Sequence, residues 1–172
     1  MQAIRRRAVL AALAAIGAVA LAACGGAQKR TDYDQLKTPD ERTAHAWIAR
    51  AFHKHGVEPQ EGRAIDIGNG GSMMVDIVAA GHPWGVAWLR DDELLELKGK
   101  LPPAPDGSDK LWVHRGVGDD ADFAVLILEA RDYQYDPDPR GEGVVHSIQE
   151  SEARTIRDVS DFLRHALAGE FQ

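Results

Sequence analysis

Asp122-Phe-Ala-Val-Leu-Ile-Leu-Glu-Ala-Arg-Asp-Tyr-Gln-Tyr135 is the stretch that decides the fold. Side chains alternate across an extended chain, so Phe123, Val125 and Ile127 face one way and Ala124, Leu126 and Leu128 the other. Both faces are apolar, which predicts a central strand covered on both sides. Lys110–Arg115 reads as a neighbouring strand, joined to it by the turn Gly116–Ala121. Upstream, Leu101-Pro-Pro-Ala-Pro-Asp-Gly-Ser-Asp109 is too rich in proline for regular structure and reads as a surface connection.

Further upstream the alternation continues. Arg63–Ile67 and Ser72–Ala80 flank Asn69-Gly70, a strong hairpin signal because both central residues of a type I′ turn need positive φ. The register this turn implies sets Arg63 opposite Asp76 and Ile65 opposite Met74. Gly81-His82-Pro83 turns the chain into Trp84–Arg90, completing a three-stranded meander. Asp91 then caps a short helix, Asp92–Lys98.

Two long helices frame these strands. Thr38 and Glu41 form a capping box with Pro39 at the first helical position, and Gly56 is a natural stop, so a helix spans 39–55. Its apolar face is Ala44, Trp47, Ile48, Ala51 and Phe52. Ser147 and Glu150 form a second capping box. The stripe Ile156, Val159, Leu163, Ala166 and Leu167 follows, with Glu150–Arg154, Arg154–Asp158 and Arg157–Asp161 as i,i+4 pairs on the wet side. The expected fold is α+β: a largely antiparallel five-stranded sheet with two long terminal helices and one short helix, in the order α-β-β-β-α-β-β-α.

The N-terminus is of another kind. Arg5, Arg6 and Arg7 precede an apolar run from Ala8 to Ala23, the pattern of a secretory signal peptide. Leu21-Ala22-Ala23-Cys24, followed by Gly25-Gly26, resembles the lipobox of bacterial lipoproteins; the resemblance covers residues 1–26 only. It implies cleavage before Cys24, diacylglycerol on the thiol and frequent acylation of the new amine, which together anchor a domain that one chain would hold only weakly. Gly25 where aspartate would retain the protein implies an outer membrane, if the cell has two. A plain signal peptide with an incidental cysteine is the alternative reading. The organisation is then a signal peptide at 1–23, a lipidated cysteine and flexible tether at 24–37, and one domain at 38–172.

The 172 residues carry 20 basic and 27 acidic side chains. The three arginines fall in the export segment, so the rest holds 17 against 27 and a net charge of −10. That excess argues against nucleic acid, whose phosphates need a basic surface. The single cysteine excludes a disulfide framework.

Chemistry is less legible. The histidines (His45, His53, His55, His82, His114, His146, His165) form no metal pattern, and His53 and His55 point apart on their helix. A zinc site using distant histidines with Asp66 or Asp132 has no marker, and no cofactor is implied. The acidic turns at Asp119-Asp120-Ala-Asp122 and Asp136-Pro-Asp138 miss the schedule of a calcium loop. Asp76, on a strand among apolar residues, is either a buried general base or the ion-pair partner of Arg63. Glu129 and Arg131 share a face at the end of the apolar strand and, with Tyr133 and Tyr135, mark the edge of a possible pocket. Arg140, Glu142 and His146 cluster before a helix N-terminus, where an anion or a partner's carboxylate is favoured. Trp47, Trp84 and Trp88 fall on buried faces, whereas Trp112 is undecided. The expected function is a lipid-anchored envelope domain that binds a protein or envelope component without catalysis. An envelope hydrolase and a metal-binding lipoprotein are the alternatives.

Overall fold

The structure, a computed structural model, describes residues 36–107, 110–138 and 146–171. The export segment, Cys24, Arg140 and Glu142 lie outside the described residues. Along the chain run α1 (Glu41–Lys54), β1 (Pro59–Gly68), β2 (Gly71–Ala79), β3 (Trp84–Leu89), α2 (Asp91–Glu96), β4 (Val113–Arg115), β5 (Ala124–Glu129) and α3 (Ile148–Leu167). Short 3-10 turns, Gly118–Asp120 and Ala130–Tyr133, interrupt the expected order. No described helix is long and apolar enough to cross a membrane.

The α+β class and the five strands stand, but the sheet is mixed and curled rather than largely antiparallel. Its order is β1-β2-β3-β5-β4. The meander β1-β2-β3 is antiparallel, β5 lies parallel to β3, and β4 closes the far edge antiparallel to β5. The parallel pair arises because α2 and the proline-rich segment carry the chain past β5 before it returns, and a parallel neighbour needs such a crossover. β5 is therefore interior, with a neighbour on each side, and fully buried up to Leu128, as its two apolar faces predicted.

The two faces feed two cores. Ala124, Leu126 and Leu128 join Val86 and Trp88 beneath both terminal helices, which contribute Ile48, Phe52, Val159, Phe162 and Leu163. Val125 and Ile127 join Ile65, Ile67, Met73, Val75, Ala87 and Leu89 on the other side, closed by Leu97 of the segment after α2. So α1 and α3 share one face, and the curled sheet with α2 covers the other.

β2 serves both cores with residues of one parity. Met73 and Val75 belong to the second core, yet Ile77 and Ala79 belong to the first. Strict alternation forbids this, so the strand must turn about its axis between Val75 and Ile77. The ladder to β3 consists of Ile77↔Val86 and Val78↔Gly85 only. Beyond it the Trp88 amide donates to the Asp76 carboxylate (2.6 Å) in place of a backbone carbonyl. Opposite, a Cβ on Gly62 would lie 1.6 Å from the Val75 carbonyl oxygen, so only glycine lets β1 follow the bend.

The hairpin corrects the expected register. Asn69 (φ 52°) and Gly70 (φ 68°) make the expected turn, but an irregularity between Asp66 and Gly68 shifts the pairing by one residue. Arg63 faces Val75, and Ile65 faces Met73. The Asp66 carboxylate accepts the Gly68 amide (2.8 Å) and holds this bulge. The slip puts Ile65 and Met73, both buried, on the same core.

The helices keep their predicted apolar faces with adjusted ends. Asp40, not Thr38, caps α1, accepting the Thr43 amide at 2.7 Å. Thr38 precedes a proline and is thereby biased out of helical geometry; its hydroxyl instead accepts from the Gln134 amide nitrogen (3.2 Å). The Ser147–Glu150 box caps α3 reciprocally. The i,i+4 pairs expected on α3 are replaced by other contacts. Arg154 donates to the Asp132 carbonyl (2.8 Å), Arg157 meets Asp158 and Arg164 meets Asp161. Leu167 is exposed, and Phe162 takes its share of the stripe. Lys37, counted in the tether, pairs with Tyr135 through two backbone hydrogen bonds.

Gly62→Ala should cost about 3 kcal/mol or more, because backbone rather than a mobile side chain blocks the added methyl. Gly56→Ala, at positive φ but in open space, should cost only about 1–2 kcal/mol. Urea denaturation of both variants checks the contrast.

Candidate functional site

β5 ends at Glu129, and the backbone rolls at once into the 3-10 turn Ala130–Tyr133. The expected shared strand face of Glu129 and Arg131 therefore does not exist. Ala130 and Tyr133 are apolar enough to be drawn into the helix-side core, and that roll carries Arg131 outward. The two side chains still form an ion pair, with Glu129 only 10% exposed and Arg131 58%.

A cleft of about 420 Å³ opens where the end of β5, α3 and the segment before β4 meet. Glu129, Tyr133, Trp112, Arg154, Asp158 and His165 are among its lining residues. Arg131, Tyr135 and His146 are not, so the structure brings together Glu129 and Tyr133 from the expected pocket edge and supplies the rest from α3 and the segment before β4. His146 is exposed, and its carbonyl accepts the Asp136 amide (2.9 Å).

Most of the cleft's charged and polar side chains have partners within the fold. The Tyr133 hydroxyl donates to Asp158 (2.9 Å), and the Arg154 guanidinium lies 5.4 Å from the centroid of the Tyr133 ring. Burial first, then the Asp158 charge, raises the Tyr133 pKa well above its ordinary 10.0, so the phenol stays neutral. His165 Nδ1 lies 2.7 Å from a Glu170 carboxylate oxygen. Trp112, left undecided by the sequence, turns its indole Nε1 into the protein without a hydrogen-bond partner. Of these residues, those on α3 were the hardest to foresee, since their charges read only as a wet helix face.

The second cluster lies in a groove of about 600 Å³ between α1 and the bend of β1 and β2. Asp76 meets His45, not Arg63: Oδ1 stands 3.2 Å from His45 Nε2. Arg63 pairs with Asp120 instead (2.7 Å) and lies over the Phe123 ring. Asp120 also accepts the Asp66 amide (3.0 Å), and this bond followed by Arg63 lowers its pKa. The acidic turn Asp119–Asp122, which misses the calcium-loop schedule, thus pins the hairpin. Glu41 stands one helical turn before His45, its Oε1 3.9 Å from Nε2. The Asp76 carboxylate, close beside Nε2, raises the His45 pKa above its ordinary 6.5, more than burial lowers it. The i,i+4 spacing of Glu41 and His45 was visible in the sequence, but their meeting with Asp76 was not.

Compared with protein-family models, curated proteins and solved structures, the chain matches none of them.

A tyrosine whose pKa is higher folded than unfolded holds its proton more tightly in the native state. Its contribution is complete below about pH 10 and is lost as pH rises further. Tyr133→Phe should therefore cost about 1 kcal/mol at pH 7, through the lost hydrogen bond to Asp158. It should also flatten the fall in stability above pH 10, as measured by chemical denaturation across that range.

Proposed function

We propose that this chain is an exported, lipid-anchored domain that binds a polar group of an envelope component or protein in the cleft between β5 and α3. The anchoring part rests on the lipobox-like run Leu21–Cys24. The binding part rests on one observation: the cleft is a preformed concavity of about 420 Å³ carrying charges of both signs, several held by partners within the fold. Groups fixed in this way present a rigid pattern of donors and acceptors, which favours recognition over proton transfer. Trp112 adds an apolar wall.

The anchor and the cleft can be tested separately. Cys24→Ser should abolish labelling by a fatty-acid analogue and release the domain from membranes; surviving labelling would overturn the lipid assignment. A photoreactive side chain at position 157, in the cleft, should give discrete adducts in intact cells that depend on Cys24. The same side chain at position 95, exposed on α2, serves as the control. Equal adducts from both positions, or none from position 157, would remove the cleft as the binding surface.

A further inference from the structure

We propose that Glu41, His45 and Asp76 form a binding site for a zinc ion, at the groove between α1 and the bend of the sheet. Their candidate ligand atoms all lie within 4.8 Å of one another, the one such group of three among the described residues. Ligands bound to zinc at about 2.0–2.2 Å stand roughly 3–3.5 Å apart, so the 3.2 Å between His45 Nε2 and Asp76 Oδ1 already has that scale. Glu41, 3.9 Å from Nε2 and 59% exposed, needs only a small side-chain movement to close the set.

The atoms are also prepared for a cation. His45 Nε2 is buried and makes no hydrogen bond, because Oδ1 stands near it but off the line a hydrogen bond requires. Asp76 Oδ2 takes the Trp88 amide at 2.6 Å, which fixes the carboxylate and leaves Oδ1 aimed at His45. A backbone donor that orients a ligating carboxylate is how such sites are usually supported. Two carboxylates beside a neutral imidazole supply two negative charges to a dication. The imidazole favours zinc over magnesium or calcium, which prefer oxygen alone. Three protein ligands leave a coordination position facing the groove, which Gln60, Glu61 and Met74 also line. An open fourth position is the arrangement in which zinc binds and activates water or an incoming oxygen ligand.

The test uses the full-length chain in detergent, stripped with a chelator and titrated with zinc against a chromophoric competitor. Elemental analysis after dialysis gives the stoichiometry. One ion per chain is expected, with affinity weakened at least about tenfold by His45→Gln and by Asp76→Asn. Glu41→Gln, at an exposed position, should also weaken zinc binding with an unchanged thermal melt. It should alter the visible spectrum of the cobalt-substituted protein, which keeps the test decisive even if Asp76→Asn unfolds the bend. Absence of a stoichiometric ion, or zinc affinity unchanged in both Glu41→Gln and His45→Gln, would overturn the site.

Discussion

The hydrogen bond from the Trp88 amide to the Asp76 carboxylate is the contact on which the architecture turns. A flat β2 would present one apolar parity to one core. Here Met73 and Val75 serve the second core while Ile77 and Ala79 serve the first. The change of facing breaks the ladder to β3, and a broken ladder strands an amide that costs free energy unless another acceptor replaces the lost carbonyl. Asp76 is that acceptor. Its short side chain spans the gap, Gly62 gives β1 room to follow, and the sheet can curl while keeping β3 and β5 between two apolar layers.

Both candidate sites descend from that curl. Rolling β1 and β2 away from α1 opens the groove in which His45 and Glu41 meet the free oxygen of Asp76. On the opposite strand of the parallel pair, β5 ends as the chain rolls into the turn Ala130–Tyr133. That leaves Glu129 at the mouth of a cleft whose other wall is α3. One carboxylate thus carries a structural bond on one oxygen and the proposed zinc contact on the other. Any substitution at Asp76 mixes the two, which makes Glu41 the cleaner probe of the groove.

Legibility differed from element to element for physical reasons. The α1 face, the Ser147–Glu150 cap, the Asn69-Gly70 turn and the apolar middle of the strand expected over 122–135 were readable because period, capping and turn chemistry act within a few residues. The register of the hairpin was not, because one bulge at Asp66–Gly68 moves every pair by a residue. The parallel β3–β5 pair and the roll at Ala130 were also beyond it, since core packing decides both. Asp76 shows the limit most plainly. Its sequence neighbourhood suggested Arg63, whereas its partners come from α1 and β3.

The sequence by itself determined an acidic domain of α+β class, two capped amphipathic helices, a strand destined for the middle of a sheet, and an N-terminal run resembling a lipobox. These are properties of local pattern and composition. Only the tertiary structure decided that both long helices cover one face and that the sheet is mixed and curled. It alone joined Glu41 and His45 to Asp76, and Glu129 to the charges of α3. Such groupings depend on the bend of one strand, and that bend follows from burying two apolar faces at once, a condition met only when the whole chain is packed.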